Sequence, residues 1–413
     1  MLRRHDVRYK QQTVRPGIVA DDLSGAMDTG LQFAKRGLET WVALAEDDFS
    51  AAEALAVSTE SRDLTADEAK ARVKEAARYV RGRSLYKKID STLRGNPGVE
   101  IIALMRESGY EKAIITPAFP EQERIVNEGQ LFVSGRPLEK TDLARDFPWP
   151  LSSSQVRDIL LQGITSLCSH VELRKVERGP WGLIGALESQ IADLIAVDAT
   201  NRKHLDIIAE AILLAEGRWL PCGSAGLAQS LAALLSPRIA HAAPPTATEN
   251  PVLVVAGSRQ KATAVQIRRA EAKLHLAVIP FLSSGGTKKP EAAVESAQSS
   301  LKERRSVILT TMTDAFMPGS QKEIAEGLAA LALGLCEKGD LAGLVLTGGE
   351  VALAVCRALE ARAIRILAEI EPGVPLGILQ GGRTAGMRVI TKAGGFGSPE
   401  VLIKAIQYLQ GKA

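Results

Sequence analysis

Val389-Ile-Thr-Lys-Ala-Gly-Gly-Phe-Gly-Ser-Pro-Glu400 decides how this 413-residue chain is read. A β-type run from Arg388 to Thr391 enters a glycine turn (Gly394, Gly395, Gly397). The turn leads into a helix predicted with Ser398 at the N-cap, Pro399 at the first helical position and an apolar stripe of Val401, Leu402, Ala405, Ile406 and Leu409. A strand–glycine turn–helix junction leaves backbone N–H groups unpaired at the positive end of a helix, which makes an anion site and usually a phosphate site. On this stretch alone, a plain tight turn is an equal alternative. Two more turns of the same kind in the same half favour the phosphate.

One of them is Val255-Ala-Gly-Ser-Arg-Gln-Lys-Ala-Thr-Ala-Val-Gln266. It puts Ser258 at a strand end and spaces Thr263 and Gln266 three apart on one helix face. The other, Leu346-Thr-Gly-Gly-Glu350, opens a helix through Gly348 and Gly349. Glu371-Pro-Gly-Val-Pro375 reads as a rigid turn suited to backing a purine. Three strand–Gly/Ser–helix turns indicate a nucleotide site. Neither G-x-x-x-x-G-K-[ST] nor G-x-G-x-x-G occurs, which excludes a P-loop enzyme and a standard dinucleotide binder.

Around these turns, β-rich runs alternate with helical patterns along the whole chain, the signature of an α/β protein with mostly parallel sheets. Strands are expected at 16–20, 40–45, 54–59, 85–89, 113–116 and 194–197, and again at 252–256, 277–280, 306–310, 343–346 and 389–391. Residues 236–250 lose periodicity and gather proline, alanine and threonine. The expected organisation is therefore a basic arm (1–15), a first domain (16–235), a linker (236–250) and a second domain (251–413). The two domains are each expected to be a mostly parallel sheet flanked by helices, with the ligand cleft between them.

Composition narrows the class. Aromatic residues make up 4% of the chain and the net charge is +3, which argues against nucleic-acid partners. No run of about 18 or more apolar residues exists, so no membrane span is expected. The four cysteines lack C-x-x-C spacing and read as reduced thiols of a cytoplasmic protein. The five histidines are scattered, and no residue is assigned as a metal ligand.

In parallel α/β sheets, ligands bind beyond the carboxyl ends of the strands. After the first strand comes Asp21-Asp22-Leu-Ser-Gly-Ala-Met-Asp28. Strand alternation turns only one of Asp21 and Asp22 toward the crevice, as a general base or toward Mg²⁺; capping of the next helix by Asp22 or Ser24 is the alternative. After the fourth strand, Tyr86-Lys-Lys-Ile-Asp-Ser-Thr-Leu-Arg-Gly-Asn-Pro-Gly98 gathers Lys88, Asp90, Ser91, Arg94 and Asn96. This mixture suits an acidic polyol, with cations for its carboxylate and Asp, Ser and Asn for its hydroxyls. Arg124 follows another strand end in Thr116-Pro-Ala-Phe-Pro-Glu-Gln-Glu-Arg124, as a substrate contact or as part of a rigid loop.

Taken together, Ala20-Asp-Asp-Leu-Ser-Gly-Ala, Thr59-Glu-Ser-Arg62, Lys88-Ile-Asp-Ser-Thr-Leu-Arg-Gly-Asn96, Pro117-Ala-Phe-Pro-Glu121, Gly223-Ser-Ala-Gly-Leu-Ala228, Gly257-Ser258, Thr347-Gly-Gly349, Pro372-Gly-Val-Pro375 and Lys392-Ala-Gly-Gly-Phe-Gly397 resemble the four-carbon acid sugar kinase family over nearly the whole chain. The resemblance implies an N-terminal acid-sugar domain, a C-terminal nucleotide domain and ATP-dependent phosphorylation of a tetronate or 3-oxo-tetronate, with Mg²⁺ accompanying ATP. It places ATP at Ser258, Gly348 or Gly349, and Gly394 or Gly395, and the acid sugar at Asp21 or Asp22, Arg62, Asp90, Ser91 and Arg94. We expect Asp90 or Asp22 to orient and deprotonate the acceptor hydroxyl. Three positions depart from the family pattern: Glu123 for a usual glycine, Ser58 for asparagine, and Val351 for a hydroxyl residue. A kinase for another small sugar acid, or a non-catalytic sugar-acid-binding regulator, remains the alternative, and self-association into a homo-oligomer is left open.

Overall fold

The computed structural model describes residues 14–147, 149–236, 238–239, 246–258, 260–281, 290–311, 321–337 and 339–412. The basic arm lies almost wholly outside the described residues, and so does much of the 236–250 linker.

By packing, the chain forms two compact units. One holds, of the described residues, 14–19, 53–55 and 65–236; the other holds 20–52, 56–64 and 238–412. This division differs from a single cut in the linker, because residues 20–52 and 56–64 pack with the C-terminal part.

In the unit built mainly from the N-terminal part, strands Ser84–Lys88, Trp219–Gly223, Lys112–Thr116, Leu194–Val197 and Cys168–Val171 pair in that order, all parallel. Helices Pro97–Ser108, Arg202–Leu214 and Ala225–Leu235 belong to the same unit. A small antiparallel sheet of Arg124–Asn127, Gln130–Val133 and Arg136–Pro137 follows the Lys112–Thr116 strand. Helix Pro97–Ser108 starts with proline in its first turn and ends on Gly109 in the left-handed region (φ 75). A buried ion pair between Lys87 and Glu100 (2.7 Å) joins this helix to its strand.

In the other unit, strands Leu276–Pro280, Ser306–Thr310, Val252–Ala256, Gly343–Thr347 and Arg388–Lys392 lie side by side and parallel. The sheet continues antiparallel through Val374–Gln380, Ala363–Glu371 and Thr40–Ala43. The Val252, Ser306 and Gly343 strands are buried at every residue, as expected of parallel strands covered on both faces. Val252, Val254, Ile308, Val345 and Ile390 pack with Ile267 and Ala270 of helix Lys261–Lys273 and with Leu402 and Ile406 of helix Val401–Leu409. Each such side chain contributes about 1.5–3 kcal/mol on burial, and this core fixes the strand ends that carry the glycine turns.

The helix after the last strand begins at Val401. Ser398 is held upstream of it, where its hydroxyl and N–H both donate to Glu371 (2.7 and 2.6 Å). All four cysteines are free thiols, and burial pushes Cys356 up to about 12. No helix among the described residues is long and apolar enough to cross a membrane.

Candidate active site

Register aligns the ends of four neighbouring strands in the C-terminal unit. Lys392 pairs with Thr347, Thr347 with Ala256, and Ala256 with Thr310. The three glycine and serine turns therefore leave the same edge of the sheet side by side, as the carboxyl-end rule requires. A β-carbon at Gly394 would collide with Ser258 Oγ, and one at Gly395 would stand 2.7 Å from Gln260 Oε1. Gly348 is in the left-handed region (φ 95), and a β-carbon there would lie 3.6 Å from the Ser258 nitrogen. Ser258, Gly348, Gly349, Gly394 and Gly395 thus come together.

Two other expected nucleotide residues serve the turn itself. Thr263 is fully buried and its hydroxyl donates to the Gly394 carbonyl (3.0 Å). Gly397 (φ 84) packs its α-carbon against Val401. Gln266 completes the hold, its side-chain amide donating to the carbonyls of Phe396, Gly397 and Ser398 at 3.1–3.2 Å. With the carbonyls tied inward, the N–H groups of Gly394, Gly395 and Gly397 make no hydrogen bond among the described residues. The Pro372–Gly373 turn closes the hairpin between the Ala363 and Val374 strands, and the Phe396 ring packs over Gly373.

Asp21, Asp22 and Arg62 belong to this same unit. Arg62 donates to Asp21 Oδ2 from Nε and to Asp22 Oδ2 from Nη1, both at 2.7 Å. The fork that was expected to grip the acid sugar is therefore spent on two carboxylates. The alternation that should have separated Asp21 from Asp22 ends with the strand at Ala20. Asp22 is already the N-cap of helix Leu23–Ala34, accepting from the Gly25 N–H (2.7 Å). Glu60 joins the cluster in the left-handed region (φ 48), with the Ser58 hydroxyl donating to it. Burial first, then the Asp22 and Asp21 charges, push the Glu60 carboxyl up to about 7, against the Ser58 hydrogen bond and Arg357.

The polar loop after strand Ser84–Lys88 lies in the other unit. Arg94 grips Asp90 with both arms of its fork (Nε–Oδ2 3.0 Å, Nη2–Oδ1 3.2 Å), and Thr92 donates to Asp90 from N–H (3.2 Å) and hydroxyl. Arg94 also meets Asp146 (3.5 Å). Arg124 is near enough to Asp90 and Arg94 to feel both charges, and burial lowers its pKa. Its Nε is buried without a hydrogen-bond partner among the described residues. Glu123 adopts the left-handed conformation (φ 59), which explains why glycine suits this position. Val351 fills the space over Gly257, where a β-carbon would collide with it. Ser91 is half-buried, and Asn96 precedes helix Pro97–Ser108 without a side-chain cap.

Lys88 stands out in this group. It is 5% exposed, and its ammonium finds no hydrogen-bond or ion-pair partner among the described residues. The strand sends Lys87 to Glu100 on one face and so turns Lys88 to the other. Lys392 was not anticipated as a site residue, although a lysine at the end of a strand that opens into a glycine turn is a signal that was there to be read.

Residues 16–231 match the sugar-binding N-terminal domain family and residues 253–402 the nucleotide-binding C-terminal domain family. The chain is 34% identical to a D-threonate kinase of Salmonella typhimurium, over 95% of this chain and 98% of that one. It is 30% identical to a D-erythronate kinase of Heliobacterium modesticaldum (96% and 97%). It is also 30% identical to a 3-oxo-tetronate kinase of Methylobacterium radiotolerans (95% and 99%). Crystal structures of a Salmonella typhimurium protein (TM-score 0.81, 22% identity, 94% and 98% covered) and a Haemophilus influenzae protein (0.74, 23%, 96% and 99%) share the fold. With both domain families matched in order and relatives of this identity along nearly its full length, the chain belongs to the four-carbon acid sugar kinase family.

Proposed function

We propose that this enzyme transfers the γ-phosphoryl group of ATP to the terminal hydroxyl of a four-carbon sugar acid of the tetronate or 3-oxo-tetronate class. The observation that carries the acceptor half is Lys88. Its stem is buried and its ammonium has no counter-charge among the described residues, which leaves it available to the carboxylate of a small acid. Arg124, with a buried unpaired Nε in the same unit, adds a second donor. The Asp90–Arg94 pair supplies carboxylate and guanidinium groups suited to the substrate's hydroxyls.

For the donor half, the residues present fit a nucleotide. Side chains are missing where phosphates would approach, at Gly349, Gly394 and Gly395, and the N–H groups of Gly394, Gly395 and Gly397 are unspent among the described residues. Mg²⁺ takes one or two carboxylates and fills its remaining positions with phosphate and water. Asp22, whose Oδ2 would lie 3.6 Å from a β-carbon at Gly349, is the residue that would hold it. When bound, the ion neutralises charge on the transferring phosphoryl group.

In the transfer, the acceptor oxygen forms a bond to the γ-phosphorus as the bond from that phosphorus to the bridging β,γ-oxygen breaks. ADP leaves with the bridging oxygen and its electron pair, and the acceptor proton passes to Asp90. Phosphoryl transfer asks the protein chiefly for positioning and charge stabilisation, which the two residue groups offer. Incubating the enzyme with ATP, Mg²⁺ and each tetronate, then locating the phosphoester by tandem mass spectrometry, tests this reading. A terminal phosphate on a four-carbon acid is expected. ADP without a phosphorylated acid would refute it.

A further inference from the structure

Lys392 ends the central strand Arg388–Lys392 and is 2% exposed. Its ammonium donates to the carbonyls of Ala393 (3.1 Å) and Gly394 (2.9 Å), and to no carboxylate among the described residues. Each of these carbonyls shares a peptide plane with the next residue's N–H. The Ala393 carbonyl is linked to the Gly394 N–H, and the Gly394 carbonyl to the Gly395 N–H. In a trans peptide the two groups point in opposite directions, and the described chain has no cis bond. Pulling both carbonyls onto a buried cation therefore turns both N–H groups outward and polarises them. Beside Lys392 in register, Thr347 is fully buried, and its hydroxyl has no hydrogen-bond partner among the described residues.

We infer that Lys392 is a positioning residue of the phosphate subsite, its charge reaching the nucleotide's phosphates through the Ala393–Gly394 and Gly394–Gly395 peptide groups. This rests on the proposed nucleotide site and adds to it a specific source of charge. A turn that needed only mechanical support would be served by neutral donors, as Thr263 and Gln266 already do. A buried ammonium with only neutral acceptors keeps an unbalanced charge, and a polyphosphate supplies the balance.

A linkage follows. Burial lowers Lys392 to about 8, and no charged group is among the causes of that shift. The described groups around it are neutral: Thr347 from its neighbouring strand, Thr263 of helix Lys261–Lys273, and the turn carbonyls. The carboxylates flanking the turn are engaged elsewhere, Glu371 with Lys404 (2.6 Å) and Glu400 with Lys273 (2.5 Å). A bound polyanion favours the ammonium and raises its pKa, so nucleotide binding above about pH 8 must take up a proton. ADP phosphates are fully ionised there and contribute none.

The test is calorimetric titration of the full chain with ADP, in buffers of different ionisation enthalpy, from about pH 6.5 to 9.5. The wild type should take up roughly half a proton or more per ADP at about pH 8.5 and markedly less at about pH 7.5, with affinity falling as pH rises above about 8. Lys392→Met should bind ADP at least about tenfold more weakly at neutral pH and lose the uptake; Lys392→Arg, charged throughout, should bind without uptake. ADP binding by the wild type without proton uptake overturns the role of Lys392 and leaves the nucleotide site standing, whether or not the variants fold. A Lys392→Met protein with unchanged affinity and pH profile does the same. Failure of the wild type to bind ADP at any pH overturns both.

Discussion

Asp22 lies against Gly349: a β-carbon at that glycine would be 3.6 Å from Asp22 Oδ2 and 3.0 Å from Ser24 Oγ. The first strand's aspartate and the second nucleotide turn are thus neighbours within one packing unit, although more than 300 residues separate them in the chain. The carboxylate also caps helix Leu23–Ala34 and receives one arm of Arg62. An asparagine in its place would keep the cap, since asparagine and aspartate cap almost equally well. Asparagine has one acceptor oxygen and cannot also hold Arg62, so we expect Asp22→Asn to fold with reduced stability while losing the Mg²⁺-dependent part of its ADP affinity. Calorimetry with and without Mg²⁺ separates the two effects, and an unchanged Mg²⁺ increment would remove Asp22 from the nucleotide site.

Lys88 makes the opposite kind of prediction, in which removing a binding group does not weaken the fold. Methionine keeps the buried stem and removes an ammonium that has no partner among the described residues. Lys88→Met should melt near the wild-type temperature and show a KM for the acid at least tenfold higher, about 1.4 kcal/mol of lost binding. KM for ATP should stay near normal. A clear drop in melting temperature with unchanged KM would make Lys88 a structural residue.

Gly395→Val tests the turn. The added side chain meets the end of Gln260, which can swing away, so the protein should fold. Its bulk would stand over the N–H groups that remain unspent. ADP affinity should fall at least tenfold, or about 1.4 kcal/mol; a folded variant binding ADP normally would move the phosphates elsewhere.

Glu60 links stability to pH. Its folded pKa, pushed up to about 7, lies above that of an unfolded glutamate, so between those values the native state holds a proton that the unfolded chain has released. Its stabilising contribution is full below the ordinary glutamate pKa and is lost as pH rises through about 7. Glu60→Gln should therefore flatten the decline in stability between about pH 5 and 8, by an amount on the order of 1–3 kcal/mol. Denaturant melts of both proteins at the two pH values would show it, and parallel slopes would count against the shift.

The parallel strands and their glycine turns were legible because a fully buried strand reads as an unbroken apolar run and its turn as glycine or serine. Trp219–Gly223 was missed because its proline and glycine argue locally against a strand, while the sheet places it between two parallel neighbours. The hairpin of Ala363–Glu371 and Val374–Gln380 was read only as its Pro-Gly turn. Its strands carry arginine and glutamates on an antiparallel sheet that is partly exposed. The site residues were chosen by charge and by position at strand ends, which brought Lys88, Asp90 and Arg94 into view. Which of them pair with one another was invisible, because a guanidinium such as that of Arg62 has the same local sequence whether it holds a ligand or two aspartates. The exception in backbone terms is Glu123, whose left-handed conformation is set by its loop against its own side chain.

The central claim is that this enzyme recognises the carboxylate of a four-carbon acid and phosphorylates the terminal hydroxyl of the same molecule. Initial rates of ADP release, compared across D-threonate, D-erythronate, 3-oxo-tetronates, their three- and five-carbon homologues and the uncharged four-carbon polyol, test it most directly. The account predicts that one of the four-carbon acids gives the highest kcat/KM, with the uncharged polyol lower by at least about 10²-fold, in keeping with the loss of a buried charge pair. Equal turnover of acid and polyol, or no acid-dependent ADP release from an enzyme that binds ADP, would contradict it.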